Sequence, residues 1–346
     1  MVSHRMTLDI HDLTFSLLVE EQEPRALLRR VFATYGLDVS DRETEEAQGQ
    51  IIIGMAPSLP EVPSGMGRVG EADGTTVWYG AGRFCLRTAY TAFLVSPSEG
   101  TVIGTVSAEH LPQAWARVVW PTILSLFLLL RRHRLFSLHA AALVYGDVGL
   151  LATAASGSGK STLASNLLRS GWHFLSDDTV LLRPTGQGVA AYAFRTHFAL
   201  RKDSRAFFPE LAPHWQRPTG GEGKQWVPVK KLYPDRALDA CFPRVLVFPE
   251  LSGGTRSQLV PLSNVGALYH LSAQSAIALF GRDTAKEHLA LLSRLVTQAS
   301  CYRLLAARDL LDDPGRSHQL LAPLMSEKPK AVASVDAEEA VASMPP

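Results

Sequence analysis

The sequence predicts an α/β fold in which a sheet carries a phosphate-binding loop, with a small α+β domain before it. The first observation is the order of an apolar run, a glycine-rich loop, a helical stretch and a second apolar run between residues 139 and 182. Parallel α/β sheets repeat this unit. The second is composition, since 46% of the 346 residues are hydrophobic and 19% are charged, as in a globular chain with a sizeable core. This length allows one large domain or two ordinary ones.

Residues 1–108 are expected to form the small α+β domain. The stretch "EPRALLRRVFATYG" is typical of a short helix that ends at Gly36. The stretch "TTVWYGAGRFCLRTAYTAFLVS" has the β-branched and aromatic content of a hairpin, with Gly80 and Gly82 near its turn. Because this part of the sequence contains no catalytic motif, we expect it to recognise a substrate.

Residues 109–325 are expected to form the larger domain, which begins with a helical region over residues 111–134. The apolar stretch "VVWPTILSLFLLL" in it has 13 residues, too few for a bilayer that takes about 20. It therefore predicts a buried helix with Pro121 in its first turn. Two apolar strands joined at Gly146–Asp147 follow as a hairpin. Further on, residues 282–301 predict an amphipathic helix, residues 302–309 a closing strand and residues 326–346 a disordered tail.

Charge and cysteine content restrict the partners and the compartment. The net charge of +1 gives no overall field that would attract nucleic acid or an anionic membrane, so neither is expected as a partner. Three scattered cysteines, Cys85, Cys241 and Cys301, form neither a disulfide framework nor a metal-binding spacing. We expect them to be reduced and buried in a cytoplasmic protein.

The stretch "ATAASGSGKSTL" matches the phosphate-loop pattern except that alanine stands at its first glycine position, Ala154. Such a loop works because successive backbone N–H groups point inward at the start of a helix. The steric demands are greatest at Gly157 and Gly159, whereas the first position mainly ends the strand, where alanine fits if its φ stays negative. The predicted nucleotide-binding residues are Ala154, Ala155, Ser156, Gly157, Ser158, Gly159, Lys160, Ser161 and Thr162.

Two side chains at the end of the loop are expected to bind the ligand in addition to the backbone N–H groups. Lys160 is expected to reach the β- and γ-phosphates, and the Ser161 hydroxyl is expected to bind Mg²⁺. The alternative is a glycine-rich turn without a ligand, which the flanking strand and helix and the Lys-Ser pair disfavour.

Asp177 and Asp178 end the apolar run that follows the loop's helix. Transfer of a phosphoryl group to a hydroxyl needs one carboxylate to receive the proton and another to help hold Mg²⁺. Adjacent residues on an extended strand point to opposite faces, so one carboxylate can do each task. The alternative is an ordinary acidic turn. His139 begins the apolar run before the hairpin, and it is expected either to lie beside the loop near the phosphoryl group or to be a structural histidine.

The stretch "ELSGGTRSQ", residues 250–258, looks like the signature loop of ATP-binding-cassette transporters. It follows an apolar strand, and no Asp-Glu-ended strand comes after it. We therefore expect a hairpin turn here.

Taken together, "LHAAALVYGDVGLLATAASGSGKSTLASNLLRSGWHFLSDDTVLL" resembles the catalytic domain of the HPr kinase/phosphorylase family, which is related in architecture to phosphoenolpyruvate carboxykinase. The resemblance implies an ATP- and Mg²⁺-dependent serine kinase. In it Asp177 would be the general base, Asp178 would lie near Mg²⁺ with Ser161, and His139 and Lys160 would lie beside the transferring group. A homo-oligomer is also implied, with a subunit number that the sequence leaves open.

The resemblance does not extend to the whole chain. The family's glycine-rich, Glu-containing signature after the Asp pair is replaced by "AFRTHFALRKDSRAFFPEL", which leaves Asp203 and Glu210 as weak candidates for a second metal ligand. The whole length looks more like HPr-kinase-related proteins found with peptide-modification systems, some of which phosphorylate a serine of a ribosomally made precursor peptide. Four basic residues could serve the phosphates or an acidic substrate, or be solvated surface charges: Arg195, His197, Arg205 and Lys224.

Two other functions stay open. A small-molecule kinase would use the same loop and Asp pair, and differ in its acceptor. A nucleotide-binding switch would bind ATP without transferring phosphate, and it would not need a carboxylate base beside the loop.

Overall fold

The structure is a computed structural model, and it describes residues 4–19, 22–44, 46–155, 157–201, 207–214, 224–275 and 280–326. The described residues form a mixed α/β fold. Its strands are β1 (His4–Ile10), β2 (Leu13–Val19), β3 (Val39–Ser40), β4 (Gly49–Ala56), β5 (Gly67–Ala72), β6 (Thr75–Gly80), β7 (Arg83–Arg87), β8 (Thr91–Ser96), β9 (Thr101–Ser107), β10 (Phe136–Leu138), β11 (Ala141–Tyr145), β12 (Val148–Ala152), β13 (His173–Ser176), β14 (Val180–Thr185), β15 (Gly188–Ala193), β16 (His197–Arg201), β17 (Lys224–Pro228), β18 (Ala240–Cys241), β19 (Pro243–Leu251), β20 (Gln258–Pro261) and β21 (Ser300–Ala306). Its α-helices are α1 (Gln22–Ala33), α2 (Leu111–Leu130), α3 (Lys160–Arg169), α4 (Val229–Leu232), α5 (Asn264–Ala273), α6 (Arg282–Gln298), α7 (Asp309–Asp312) and α8 (Arg316–Leu321).

The first nine strands form one sheet in the order β3-β1-β2-β4-β9-β8-β7-β6-β5, which we call the N-terminal sheet. Its predicted hairpin is confirmed: β6 and β7 pair through a turn at Ala81–Gly82, where φ is 51° and 76°. Two positive φ angles are what a type I′ turn requires. The predicted end of α1 is also confirmed, because Gly36 follows it with a φ of 73°.

Helix α2 packs on this sheet rather than on the strands around the loop. Its buried residues Ile123, Leu126 and Phe127 belong to the same core as the sheet residues Phe93 and Val95. The domain boundary at residue 108 stays a prediction. The predicted place of Pro121 is wrong, because α2 begins ten residues earlier at Leu111 and Pro121 lies inside it. Within the described ranges, no helix combines the length and the apolar character that crossing a membrane needs.

Six strands form the sheet that carries the loop, in the order β13-β11-β12-β19-β21-β20, which we call the loop sheet. The predicted hairpin at Gly146–Asp147 is confirmed, since β11 and β12 pair antiparallel with Tyr145 opposite Val148. Strands β12, β19 and β21 run parallel. The predicted succession of strand, loop, helix and strand is observed as β12, the loop, α3 and β13.

Both faces of the loop sheet are covered, because alternate residues of a strand point to opposite faces. Ala141 and Leu143 of β11 share a buried core with α3, through residues such as Leu167. Ala142 and Val144 share another core with α6. This packing fixes the loop between the end of β12 and the start of α3.

The expected hairpin turn at residues 250–258 is wrong. Strands β19 and β20 both pair with β21, which lies between them. The connection from β19 to β20 therefore crosses over β21. Its Ser257 hydroxyl donates a hydrogen bond to Asp309. The signal for a turn was local, whereas the strand that separates β19 from β20 begins 39 residues after β20 ends.

The remaining strands form a four-stranded sheet, β10-β14-β15-β18, and the pair β16-β17. The second apolar run of the predicted unit, which extends to residue 182, is divided into β13 and β14, which belong to different sheets. The three cysteines are buried and free of disulfides, as predicted. The predicted disordered tail lies outside the described residues from residue 327 onward.

Candidate active site

The loop after β12 has the backbone that a phosphate loop needs at its glycines. Gly157 has a φ of 87° and Gly159 a φ of 92°, and Gly159 directly precedes the first residue of α3. Such angles are readily adopted by glycine alone. Ala154, at the position of the missing glycine, has no positive φ, which agrees with the condition under which alanine fits. The loop therefore needs no glycine at Ala154. Ser156 lies outside the described residues.

Lys160 is the first residue of α3 and is 6% exposed. Its Nζ donates hydrogen bonds to the carbonyl oxygens of Ala154 at 2.5 Å and Ala155 at 3.1 Å. A buried ammonium group needs such partners. They hold the amino group across the loop, where a phosphate chain bound by the N–H groups would meet it.

Asp177 and Asp178 lie in the turn between β13 and β14, not on an extended strand. Asp178 has a φ of 71°, so the argument from opposite faces of a strand is wrong. Asp177 is fully buried, and it accepts a hydrogen bond of 3.0 Å at Oδ1 from the hydroxyl of Ser161 in the first turn of α3. The backbone N–H of Asp177 donates to the carbonyl of Arg195 at 3.0 Å. The carboxylate of Asp177 is thus fixed against the loop's helix.

The side chain of Asp178 is 26% exposed, and a histidine and an arginine lie next to it. The Nδ1 atom of His139 lies 3.6 Å from Oδ1 of Asp178. His139 lies between β10 and β11, and the Thr153 hydroxyl donates to its carbonyl oxygen at 2.9 Å. Because Thr153 directly follows β12, this bond ties His139 to the start of the loop. The sheet topology therefore places the histidine beside the loop.

Arg195 completes the cluster, and its pairing with Asp178 was not foreseen in the sequence. Its Nη1 donates to Oδ2 of Asp178 at 2.9 Å, and its side chain is 11% exposed. Its guanidinium lies 5.3 Å from the ring centre of Tyr35 and 5.9 Å from that of Trp226. Burial is the largest influence on the pKa of Arg195 and lowers it, but Asp178, Tyr35 and Asp177 together outweigh burial and the pKa lies above its ordinary value. Arg195 is therefore a fixed positive charge within the site.

Ser176 connects the backbone segments that carry these groups. Its hydroxyl donates to the carbonyl of Thr179 at 2.5 Å, and it accepts from the N–H of Arg195 at 2.9 Å. Nothing in the sequence pattern distinguishes this serine from any other serine on a strand. Only the pairing of residues 176–179 with residue 195 would identify Ser176, and a single sequence does not show that pairing.

Of the other predicted basic residues, the structure describes the side chain of His197. His197 is partly buried, its Nδ1 has no hydrogen-bond partner among the described residues, and burial followed by the charge of Arg195 lowers its pKa to about 4. A neutral His197 supplies no positive charge to a phosphate at neutral pH. Lys224 begins β17, where its backbone pairs with Arg201. Arg205 and Asp203 lie outside the described residues.

Glu210, a weak candidate for a second metal ligand, lies at the far end of α3. It pairs with Arg169 at 3.0 Å. Arg169 is nine residues beyond Lys160 on the same helix, about 13 Å along its axis at 1.5 Å per residue. Glu210 therefore does not contribute to the cluster around the loop.

The chemistry of the cluster fits Mg²⁺. Among the described residues, no three or more His, Cys, Asp or Glu side chains come together as a metal site. Mg²⁺ does not require such a group, because in nucleotide sites it is held by one or two carboxylates together with phosphates and water. The Ser161 hydroxyl and the two aspartates at the loop are donors of this kind.

A cavity of about 250 Å³ opens beside the start of the loop. Thr153, Ala154 and Ala155 line one side of it, and Phe248 and His270 lie on the other. The rings of Phe248 and His270 are 5.1 Å apart. An apolar cavity with aromatic walls suits a flat ring system.

Comparisons with known proteins find distant similarity to solved structures. No family model and no curated protein matches the chain. Among solved structures, the Hpr(Ser) kinase/phosphatase from Coxiella burnetii is similar at 15% sequence identity and a TM-score of 0.27. That similarity covers 54% of this chain and 98% of the other.

Proposed function

We propose that the protein is an ATP-dependent kinase that transfers the γ-phosphoryl group to a serine hydroxyl of a peptide or small protein. The observation that supports this proposal is the meeting of three features at one point. The glycine loop at the start of α3, the Asp177–Asp178 turn and His139 lie together, linked by the bonds from Ser161 to Asp177 and from Thr153 to His139. A nucleotide-binding protein without transfer chemistry has no need of the two carboxylates and the histidine.

The loop binds the phosphates of ATP in this proposal. The N–H groups at the start of α3 point at the anion, and the helix dipole favours negative charge there. Lys160 moves its hydrogen bonds from the carbonyls of Ala154 and Ala155 to the β- and γ-phosphates. The cavity beside the loop, with Phe248 and His270 in its wall, takes the nucleobase.

Transfer then requires one proton acceptor and fixed positive charge. Asp177 accepts the proton of the serine hydroxyl while the serine oxygen bonds to the γ-phosphorus and the bond to the β-phosphate oxygen breaks, which releases ADP. Mg²⁺, held by Ser161 and Asp178, neutralises charge on the phosphates when it is bound. His139 lies beside the transferring group and stabilises its charge.

One observation favours an exchange of roles between the two aspartates. Asp177 is fully buried and bonded to Ser161, as a metal-side carboxylate would be, whereas Asp178 is partly exposed. The variants Asp177→Asn and Asp178→Asn separate the assignments. If Asp177 is the base, its variant keeps Mn²⁺ binding in the presence of ADP and loses transfer, while Asp178→Asn weakens Mn²⁺ binding. The opposite pattern would make Asp178 the base and Asp177 the carboxylate that holds the metal.

The acceptor is proposed from the sequence resemblance, with residues 1–108 recognising it. The contact of Tyr35 with Arg195 supports this part, because it brings that region to the active site. A homo-oligomer in the cytoplasm, without nucleic acid or membrane as partner, completes the proposal.

Incubation with γ-labelled ATP tests the function. Serine-containing peptides and small hydroxyl compounds are offered in parallel, and the Lys160→Ala variant serves as the control. Label on a peptide serine in the wild type and not in the variant supports the proposal. Label on small compounds alone favours the small-molecule kinase, and ATP binding without any transfer favours the nucleotide switch.

A further inference from the structure

We propose that Tyr35 and Gly36, at the end of α1, are positioning residues for the active site and act through Arg195 on Asp178. This inference rests on the proposed function. It adds that the N-terminal part of the chain supplies one wall of the site. Neither residue belongs to a catalytic motif, and both lie at least 141 positions before the Asp pair.

The first support is the environment of the Arg195 guanidinium. It lies over the rings of Tyr35 and Trp226, 5.3 Å and 5.9 Å from their centres. Its Nη1 bonds to Asp178, whereas its Nε is buried and has no hydrogen-bond partner among the described residues. The orientation of the guanidinium therefore depends on the two rings as well as on Asp178. Cation–π contacts with desolvated groups contribute to such orientation.

The second support is a close approach of the two backbones. The carbonyl of Tyr35 accepts a hydrogen bond of 3.1 Å from the N–H of Thr196. Gly36 has a φ of 73°, and a Cβ atom at this position would lie 2.0 Å from the Thr196 hydroxyl oxygen and 2.5 Å from Nδ1 of His197. The approach requires glycine, both for its φ and for the absence of a side chain. The end of α1 is thus held against the residues that directly follow Arg195.

The third support is that the same segment is fixed to the aspartate turn. The carbonyl of Arg195 accepts from the N–H of Asp177, and its own N–H donates to the hydroxyl of Ser176. Tyr35 therefore contacts a residue whose backbone and side chain both support the Asp pair. Removing the Tyr35 ring would leave the Arg195 guanidinium less firmly oriented. Asp178, which Arg195 binds, would then be less firmly held in its left-handed conformation.

The first test uses the arginine signal and needs neither metal nor acceptor. In ¹⁵N-arginine-labelled protein, Arg195→Met identifies the Nε–H resonance of Arg195, and its hydrogen exchange is measured in Tyr35→Leu. We expect exchange to be about tenfold faster in Tyr35→Leu and near the wild-type rate in Tyr35→Phe, which keeps the ring. Tyr79→Leu is the matched control, because Tyr79 packs on the same core without contacting Arg195.

The second test measures ATP turnover with water as the acceptor. Tyr35→Leu is expected to lower kcat about tenfold while the KM for ATP stays within twofold, because the loop and Lys160 are unchanged. In the Arg195→Met background the same substitution is expected to have no further effect, since Tyr35 acts through Arg195.

The outcomes separate this inference from the proposed function. Unchanged Arg195 exchange in Tyr35→Leu, or an equal loss of kcat with and without Arg195, overturns the inference and leaves the kinase proposal standing. Absence of transfer from labelled ATP to any acceptor, with Arg195 exchange still faster in Tyr35→Leu, overturns the proposed function and leaves the positioning of Arg195 by Tyr35 standing.

Discussion

At the scale of single residues, His288 on α6 combines full burial with the absence of hydrogen-bond partners on both ring nitrogens among the described residues. Burial, followed by the positive charge of Arg131, lowers its pKa to about 3 from an ordinary 6.5. The folded state thus holds this ring neutral where the unfolded chain would protonate it. Stability from this group is complete above pH 6.5 and is lost as the pH falls toward 3.

The expected result is a free energy of unfolding that decreases on acidification, with up to about 1.4 kcal/mol per pH unit due to His288. His288→Leu should flatten the decline by about this amount between pH 4 and 6 in denaturant titrations. His214→Leu is the control, because His214 is exposed. Equal slopes in His288→Leu and the wild type would contradict the prediction.

The two ends of the glycine loop should respond differently to substitution. Ala154 has no positive φ, whereas Gly159 has a φ of 92° with open space where a Cβ would stand. Ala154→Gly should therefore leave the affinity for ATP within twofold. Gly159→Ala should weaken it about tenfold, because a left-handed alanine costs roughly 1–2 kcal/mol. Calorimetric titration with ATP measures both, and a tenfold gain in Ala154→Gly would show that the first glycine position matters after all.

At the scale of secondary-structure elements, local signals predicted the two hairpins and the glycine loop, but they did not predict which strands lie side by side in the sheets. Gly146–Asp147 specifies its hairpin because only the adjacent strands take part. Strand β21, which separates β19 from β20, begins 39 residues after β20 ends, so the sequence of the connection between β19 and β20 does not indicate it. The division of residues 173–182 at Asp178 has the same origin, since the turn is held by Arg195 from another element.

The end of β12, β19 and α5 together form the cavity in which we place the nucleobase. His270→Ala removes one ring from its wall, and stacking of a base on an aromatic ring is worth about 1–3 kcal/mol. The affinity for ATP should fall about tenfold, whereas the affinity for inorganic tripolyphosphate, which has no base, should not change. Val265→Ala serves as the control, because Val265 lies on the same helix and is 81% exposed. An equal loss for both ligands would argue against base binding in this cavity.

At the scale of the whole molecule, two residues of the loop-containing part enter the core of the N-terminal sheet. Leu181 of β14 and Phe194 after β15 are buried together with residues of the N-terminal sheet and α2. At the surface, Arg183 of β14 makes two bonds of 3.0 Å and 2.9 Å to Asp12, in the turn between β1 and β2. The contact of Tyr35 with Arg195 is thus one of several between these parts, and the site is built on their common packing.

This shared core predicts that the two parts lose structure together. The ring of Phe194 lies 5.0 Å from Phe127 and 5.5 Å from Tyr35, and Phe194 is fully buried. Phe194→Ala should cost about 3–5 kcal/mol. Because both parts depend on this contact, hydrogen exchange should accelerate by similar factors in β8 of the N-terminal sheet and β12 of the loop sheet. Ile103→Ala, on β9 and 51% exposed, should change neither. Acceleration confined to one sheet would show that the two parts unfold independently, and that the contact at Tyr35 joins separate units rather than parts of one cooperative fold.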